Sequence, residues 1–264
     1  MAGTIAYWQF DATSGQAVLD SSGGNYHLVV GNSDTDTLAD PTRTANGYSN
    51  GALDFSSDSH GDIVKFQNGS DQSAALEPSG SWTVEAFFNL SQIPSGWGSS
   101  ATPNTLLQWR DTAGRTSTLR LRANGVFGQM DATYWNGSAY QTLLHTASLE
   151  ADTWYYVAQT YDAGTGTRTL RINGASESDT PGAVNLGTMD RFTIGSGHWD
   201  SSGNSDGGSG FFRSFDGRID EVRISDTVVA ENDLLINTIP EPATIGLVAF
   251  SCFGVLLFRR RLIL

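Results

Sequence analysis

The chain has one cysteine, one lysine and, from Thr4 to Leu235, no long helical period. Cys252 lies inside an apolar tail, so the residues before that tail have neither a disulfide nor a cysteine metal site. Lys65 is the sole lysine, and Lys and Arg together number 15 against 28 Asp and Glu. Before Pro240 there are 27 acids and 12 bases, a net charge of −15. Such a surface repels phosphate backbones, which argues against nucleic acid as a partner, and it is compatible with divalent cations. Charged residues make up only 16% of the chain. Leu, Ile, Val and aromatics are plentiful enough to build a core, so the acidity is not that of a disordered chain.

What fills the sequence is glycine, 30 residues of it, with Thr, Ser, Asn and Asp between short apolar runs. That is the pattern of an all-β protein with many turns. The runs are "TIAYWQF", "GALDF", "DIVKF", "SWTVEAFFNL", "NTLLQW", "STLRLR", "TWYYVAQTYD", "TRTLRING", "RFTIGSG" and "GRIDEVRIS". In "STLRLR", Leu119 and Leu121 face one way and Arg120 and Arg122 the other. In "TWYYVAQTYD" both parities are apolar, which predicts a central strand covered on one side and lining a groove on the other. "DAGTGT" reads as the turn of a hairpin. A short helical turn is expected within Val229–Leu235.

The order of these segments resembles a laminin-G-like jelly roll. "FDATSGQAVLDSSGGNYHLVVG", "GYSNGALDFSSDSHGDIVKF", "SWTVEAFFNL", "LEADTWYYVAQTYDAGTGTRTLRING" and "FDGRIDEVRISDTVVAENDL" are five collinear matches to it. Tyr156 replaces the usual histidine and Phe88 the usual tryptophan of that family, each keeping an aromatic ring. The resemblance implies an all-β fold, a concanavalin A-like sandwich of two antiparallel sheets over residues 1–235, with 236–239 as a linker. A cation often joins the first and last strand regions of such sandwiches.

Asp220 is the acid that raises this possibility here. On a regular strand it shares a face with Val222 and Ile224, and a carboxylate on an apolar face needs a partner. Calcium, bound by carboxylates and carbonyls, is one such partner, with Asp11, Asp20 and Asn25 as companions and a structural role. The alternatives are loop amides or an arginine for Asp220, and turn capping by Asp20 in "LDSSGGN". Ligand contact is expected of aromatics, because sugar rings stack on them: Trp97, Trp109, Trp135, Trp199 and Phe211 are the candidates. Trp199 and Phe211 belong to a long polar loop ahead of the closing strand.

A glycosidase on this fold needs two acids on one strand face, as in Glu-x-Asp-x-x-Glu, and no such stretch occurs. "DEVR" puts Asp220 and Glu221 on opposite faces of a regular strand, and Glu85 stands alone on its own. The expectation is a non-catalytic protein.

The tail, "TIPEPATIGLVAFSCFGVLLFRRRLIL", has 14 uncharged residues from Ile245 to Phe258, fewer than the ~20 that span a bilayer comfortably. Pro240-Glu241-Pro242, the apolar stretch and Arg259, Arg260 and Arg261 resemble a PEP-CTERM sorting signal. The resemblance implies a hydrophobic C-terminal helix held transiently in the inner membrane and an exosortase-type enzyme that processes the chain. It also implies delivery to the surface or extracellular matrix of a Gram-negative bacterium. "MAGTIAYWQFDA" has no signal-peptide character, so the leader such export requires is expected to be missing from this sequence. The combined expectation is an exported surface protein that binds carbohydrate or matrix. A structural matrix component without a specific ligand is one alternative, and a glycoside hydrolase on the same fold, with an unusual site, is the other.

Overall fold

The structure, a computed structural model, describes residues 3–31, 40–55, 62–67, 70–93, 105–122, 128–198, 211–212 and 215–240. Its first strands are β1 (Thr4–Trp8), β2 (Ala17–Val18), β3 (Leu28–Val30), β4 (Thr42–Thr44), β5 (Ala52–Phe55) and β6 (Val64–Lys65). Then come β7 (Trp82–Leu90), β8 (Thr105–Asp111), β9 (Thr116–Arg122), β10 (Gln129–Trp135), β11 (Tyr140–Leu144) and β12 (Trp154–Asp162). The last are β13 (Thr167–Ile172), β14 (Ala175–Asp179), β15 (Met189–Ile194), β16 (Gly197–His198), β17 (Phe211–Phe212) and β18 (Gly217–Ser225).

Two antiparallel sheets carry the fold. Sheet one runs β14-β13-β12-β7-β18-β5-β4, with β1 also on β18, and sheet two runs β11-β10-β9-β8-β15-β6-β3-β2. The expected jelly-roll sandwich is therefore what forms. Period-two alternation supplies the core between the sheets: Leu119 and Leu121 from β9, Leu170 and Ile172 from β13, and Ile219, Val222 and Ile224 from β18. Trp8 of sheet one stacks on Phe192 of sheet two, with ring centroids 5.5 Å apart, and Trp109 lies 4.9 Å beyond Phe192.

β12 does lie centrally, between β7 and β13. Its second face does not line a groove, however. Tyr156 and Ala158 join Tyr7, Tyr48 and Phe87 in a smaller apolar cluster on the outer side of sheet one, closed by Leu234 and Leu235. Those two leucines belong to the segment that follows β18, a 3₁₀ turn (Glu231–Asp233) and a single-turn helix α1 (Leu235–Thr238). Ile236 and Ile239, from the segment expected as a linker, also pack against this cluster.

Beneath that cover sits a buried charge pair. Arg223 on β18 and Glu85 on β7 are register partners, and Arg223 Nε donates to Glu85 Oε2 at 2.6 Å. Tyr156 Oη donates to Glu85 Oε1 at 2.6 Å, and the Leu235 N–H donates to the same oxygen at 2.8 Å. Glu85 is thus a fully bonded anchor for the C-terminal segment. It has a hydrogen-bond partner on each of three elements, β18, β12 and α1.

Candidate functional site

β18 changes neighbours half-way along. Gly217–Ile219 pair with β5, whereas Val222–Ser225 pair with β1. Gly217 is needed where it stands, at φ 140°, because a Cβ there would come within 2.0 Å of the Asn89 carbonyl oxygen on β7. Between the two halves the register against β7 slips between Asp220 and Arg223, and Glu221 takes a left-handed φ of 54°. This is a β-bulge, which inserts a residue and re-aims side chains.

The bulge overturns the regular-strand expectation. Asp220 pairs with Phe87 on the outer side of sheet one, away from Val222 and Ile224, which point into the main core. Glu221 follows it outward, where the Tyr7 hydroxyl donates to its Oε2. The two acids therefore share one side. Asp220 Oδ2 accepts the Ser49 N–H at 2.9 Å, while Oδ1 is buried with no hydrogen-bond partner.

Burial pushes the Asp220 carboxyl up to about 8; the Ser49 hydrogen bond opposes this, and the charges of Glu221 and Asp11 add to it. Burial also lifts Glu221 to about 7, against the Tyr7 hydrogen bond and with Asp11 contributing. Asp11 is exposed, and its Oδ1 accepts the Gly51 N–H at 3.1 Å.

The residues present fit a hard cation in one respect, an orphaned buried carboxylate oxygen beside two further carboxylates. Among the described residues, no three His, Cys, Asp or Glu side chains form a metal-binding group. A cation here would thus take backbone carbonyls and water as additional ligands.

The other two expected companions do different work. Asp20 spends Oδ1 on the N–H groups of Tyr7 and Ser22 and Oδ2 on that of Tyr26, at 2.8–3.0 Å. It organises the turn that follows β2, the capping role weighed against metal binding. Asn25 is exposed in that same turn with φ 61°.

The outer face of sheet two has a different character. In register across the sheet, Lys65 lies beside Thr193, Thr193 beside Gln108, and Gln108 beside Thr118. Thr118 is followed by Thr133, and Thr133 by Thr142. Directly opposed residues share a face, so six strands contribute one continuous polar row. All but Thr142 are buried. Beside the row, Arg120 Nε donates to both oxygens of Asp131 at 2.9 and 3.2 Å, and Arg110 contacts Asp190 at 3.3 Å.

At the sheet's edge, Asn136–Ala139 turn β10 into β11, with Asn136 Oδ1 accepting the N–H groups of Ser138 and Ala139. This turn sets Trp135 opposite Tyr140, edge to face, with centroids 5.3 Å apart. Tyr140 is 49% exposed.

Of the aromatics expected at a ligand site, Trp135 is the one placed on this face. Trp109 is instead core, 2% exposed, with its indole N–H donating to the Leu76 carbonyl at 2.8 Å. Trp97 and Trp199 lie outside the described residues, as does the side chain of Phe211. Pro240 is exposed at the end of the domain, and Glu241, Pro242 and Arg259–Arg261 lie outside the described residues. Among the described residues, no helix is long and apolar enough to cross a membrane.

Tyr140, Arg120, Asp131 and Glu221 were not among the expected site residues. The first could have been found, since "WNGSAY" is a hairpin signal that sets its flanking aromatics side by side.

His145 is buried and structural. Its Nδ1 accepts the Ala147 N–H, which leaves Nε2 to donate to the Ala175 carbonyl at 3.1 Å.

This geometry agrees with the comparison to known families. Residues 58–234 match Laminin_G_3, described as the concanavalin A-like lectin/glucanases superfamily. The chain belongs to that superfamily. No curated protein is a match. Among solved structures sharing the superfamily's sandwich is the binding domain of botulinum neurotoxin serotype G. It has 11% identity and a TM-score of 0.56, over 89% of this chain and 50% of that one. The binding domain of botulinum neurotoxin DC in complex with SialylT has 13% identity and a TM-score of 0.51, over 90% of this chain and 51% of that one. A Ruminococcus gnavus sialidase CBM40 bound to α2,3-sialyllactose has 15% identity and a TM-score of 0.46, over 59% and 80% of the two chains. At these identities the likeness is one of fold.

Proposed function

We propose that the domain is a non-catalytic, carbohydrate-binding module of an exported surface or matrix protein. The observation that carries this reading is the Trp135–Tyr140 pair on the outer face at the edge of sheet two, where Tyr140 and Thr142 are exposed. Aromatic faces meet the apolar faces of sugars, and the exposed Thr142 and the partly exposed Arg120 stand near the pair as polar groups for a polyhydroxylated ligand. The carboxylates on this face, Asp131 and Asp190, are each engaged by an arginine, an arrangement suited to holding a ligand and not to acid and nucleophile work. A glycan array probed with the full chain tests the reading. Reproducible binding to a defined glycan set supports it, and a silent array leaves a structural component without a specific ligand.

Export rests on the tail, whose Pro-Glu-Pro motif begins at an exposed Pro240 where a processing enzyme has access. The intact mass of the protein from cells with and without an exosortase-type enzyme tests this, with a mass loss at the tail expected only when the enzyme is present.

A structural calcium at Asp220, with Asp11 and Glu221 nearby, is the second element of the proposal. Its support is the unpartnered, buried Asp220 Oδ1.

A further inference from the structure

Among the described side chains, the outward positions on the strands of sheet two carry a charge balance opposite to that of the molecule. Lys65, Arg110, Arg120 and Arg191 stand there with Asp131 and Asp190, four basic groups against two acidic ones, in a domain of 27 acids and 12 bases. In a molecule this acidic an anionic ligand needs a basic group to face it, and Arg120 on this face is one.

Three further features gather at its β10–β11 end. Trp135 Nε1 and Gln129 Oε1 are buried without a hydrogen-bond partner, although such groups are normally satisfied. Arg120 uses only Nε on Asp131, and among the described residues its two terminal nitrogens have no partner. Tyr140 and Thr142 on β11 are exposed, while Asp131 and Thr133 form a buried floor beside them.

The spacing along β10 sets the size of what fits. Trp135 and Asp131, which holds Arg120, are four residues apart, roughly 13 Å along an extended strand. One pyranose ring cannot reach from the aromatic pair to the guanidinium, whereas a short oligosaccharide can.

We infer that the β10–β11 end of sheet two binds an acidic oligosaccharide. One ring rests on Tyr140 and Trp135, and a carboxylate on a following ring meets the terminal nitrogens of Arg120. A guanidinium fork suits a planar carboxylate, and Asp131 holds it in place through Nε. Gln129 and Trp135 supply an acceptor and a donor to ring hydroxyls. This inference rests on the carbohydrate-binding reading above and names the ligand class for the same face.

The test measures affinity of the full chain for polygalacturonate and alginate, for methyl-esterified polygalacturonate, and for a neutral dextran. Acid polymers are expected to bind at least about tenfold more tightly than the esterified one, with the preference shrinking as salt rises. Trp135→Ala with Tyr140→Ala should weaken binding roughly tenfold or more. Arg120→Gln with Asp131→Asn removes both charges together, so neither is left buried alone, and should abolish the preference for acid polymers at a thermal midpoint near that of the native chain.

Equal binding of acidic and esterified polymers overturns the ligand class, and unchanged affinity in both double variants overturns the location. If the array finds neutral glycans while the acid polymers fail, the acidic assignment falls and the carbohydrate-binding reading stands. If no glycan binds at all, that reading falls first.

Discussion

Arg168 and Asp179 face each other across β13 and β14, Nε donating to Oδ1 at 2.9 Å and Nη2 to Oδ2 at 2.5 Å. The guanidinium does not point to solvent. It shares the inward parity of Leu170 and Ile172, lies 4.6 Å from the centre of the Tyr134 ring, and gives Nη1 to the carbonyls of Ala132 and Gln141. One side chain of sheet one thus holds the β10–β11 hairpin of sheet two, which carries Trp135 and Tyr140.

Arg168→Met keeps most of the volume and removes every one of those bonds. It leaves buried carbonyls unsatisfied and Asp179 without its partner, so a loss of about 2–4 kcal/mol in urea unfolding is expected. Glycan affinity should fall with it, because the aromatic pair loses its support. A loss within about 0.5 kcal/mol, the range of ordinary surface substitutions, argues that the clamp is dispensable.

The Glu85–Arg223 pair gives a second test. Both side chains are at most 1% exposed, so removing one strands the other charge. Glu85→Gln or Arg223→Met alone should each cost about 3–5 kcal/mol, and the double variant clearly less than the sum of the two. Since Glu85 also accepts the Leu235 N–H and Arg223 donates to the Asp233 carbonyl at 2.8 Å, the single variants should loosen the C-terminal segment. Faster hydrogen exchange at Leu235 reads that directly. Strictly additive costs, with exchange at Leu235 unchanged, count against a coupled anchor.

The sandwich was legible because strand alternation is a local property: the leucines of "STLRLR" face inward as the period requires. The carboxylate niche was not. A bulge at Glu221 depends on β18 exchanging β5 for β1, a relation between segments far apart in sequence, and one inserted residue reverses the side each later group faces. Trp109 misled for a related reason. Its strand presents it at the same parity as Leu107, and nothing in residue type distinguishes a core tryptophan with a satisfied indole from one that meets a sugar. Arg168 was hidden by its charge, although its parity in "TRTLRI" matched the inward residues.

Acid should destabilise the domain through two turn-organising aspartates. Burial raises the Asp20 carboxyl, but hydrogen bonds from Ser22, Tyr7 and Tyr26 outweigh it and hold it below the usual range. Asp111 behaves alike: burial is outweighed by the Gly187 and Arg115 N–H groups and by the Arg115 guanidinium. Because both folded values are lowered, the stability they contribute is complete above the ordinary aspartate value of about 3.9 and is lost as pH falls through the folded values. Urea midpoints measured from neutral pH down to about 2 should show this decline. Asp20→Asn should start less stable and fall less steeply, and an acid limb identical to that of the native chain shows that Asp20 is not a source of it.

The last test concerns the niche at Asp220. Calcium bound to the folded state alone raises stability by about 2.7 kcal/mol at a concentration ~100-fold above its dissociation constant. The thermal midpoint of the full chain should therefore be several degrees higher in calcium than in chelator, each kcal/mol being worth about 2–4 °C in a domain of this size. Asp220→Asn keeps the shape and an acceptor for Ser49 while removing the buried charge next to Glu221 and Asp11. It should abolish the calcium shift, and in chelator its midpoint should equal or exceed that of the native chain, because a desolvated carboxylate has been replaced by a neutral group. Ser49→Ala keeps the backbone donor and the carboxylate, so its calcium shift should be unchanged. Identical midpoints with and without calcium in the native chain dismiss the cation. Asp220 would then be a buried acid held in its neutral form by the niche that the bulge creates.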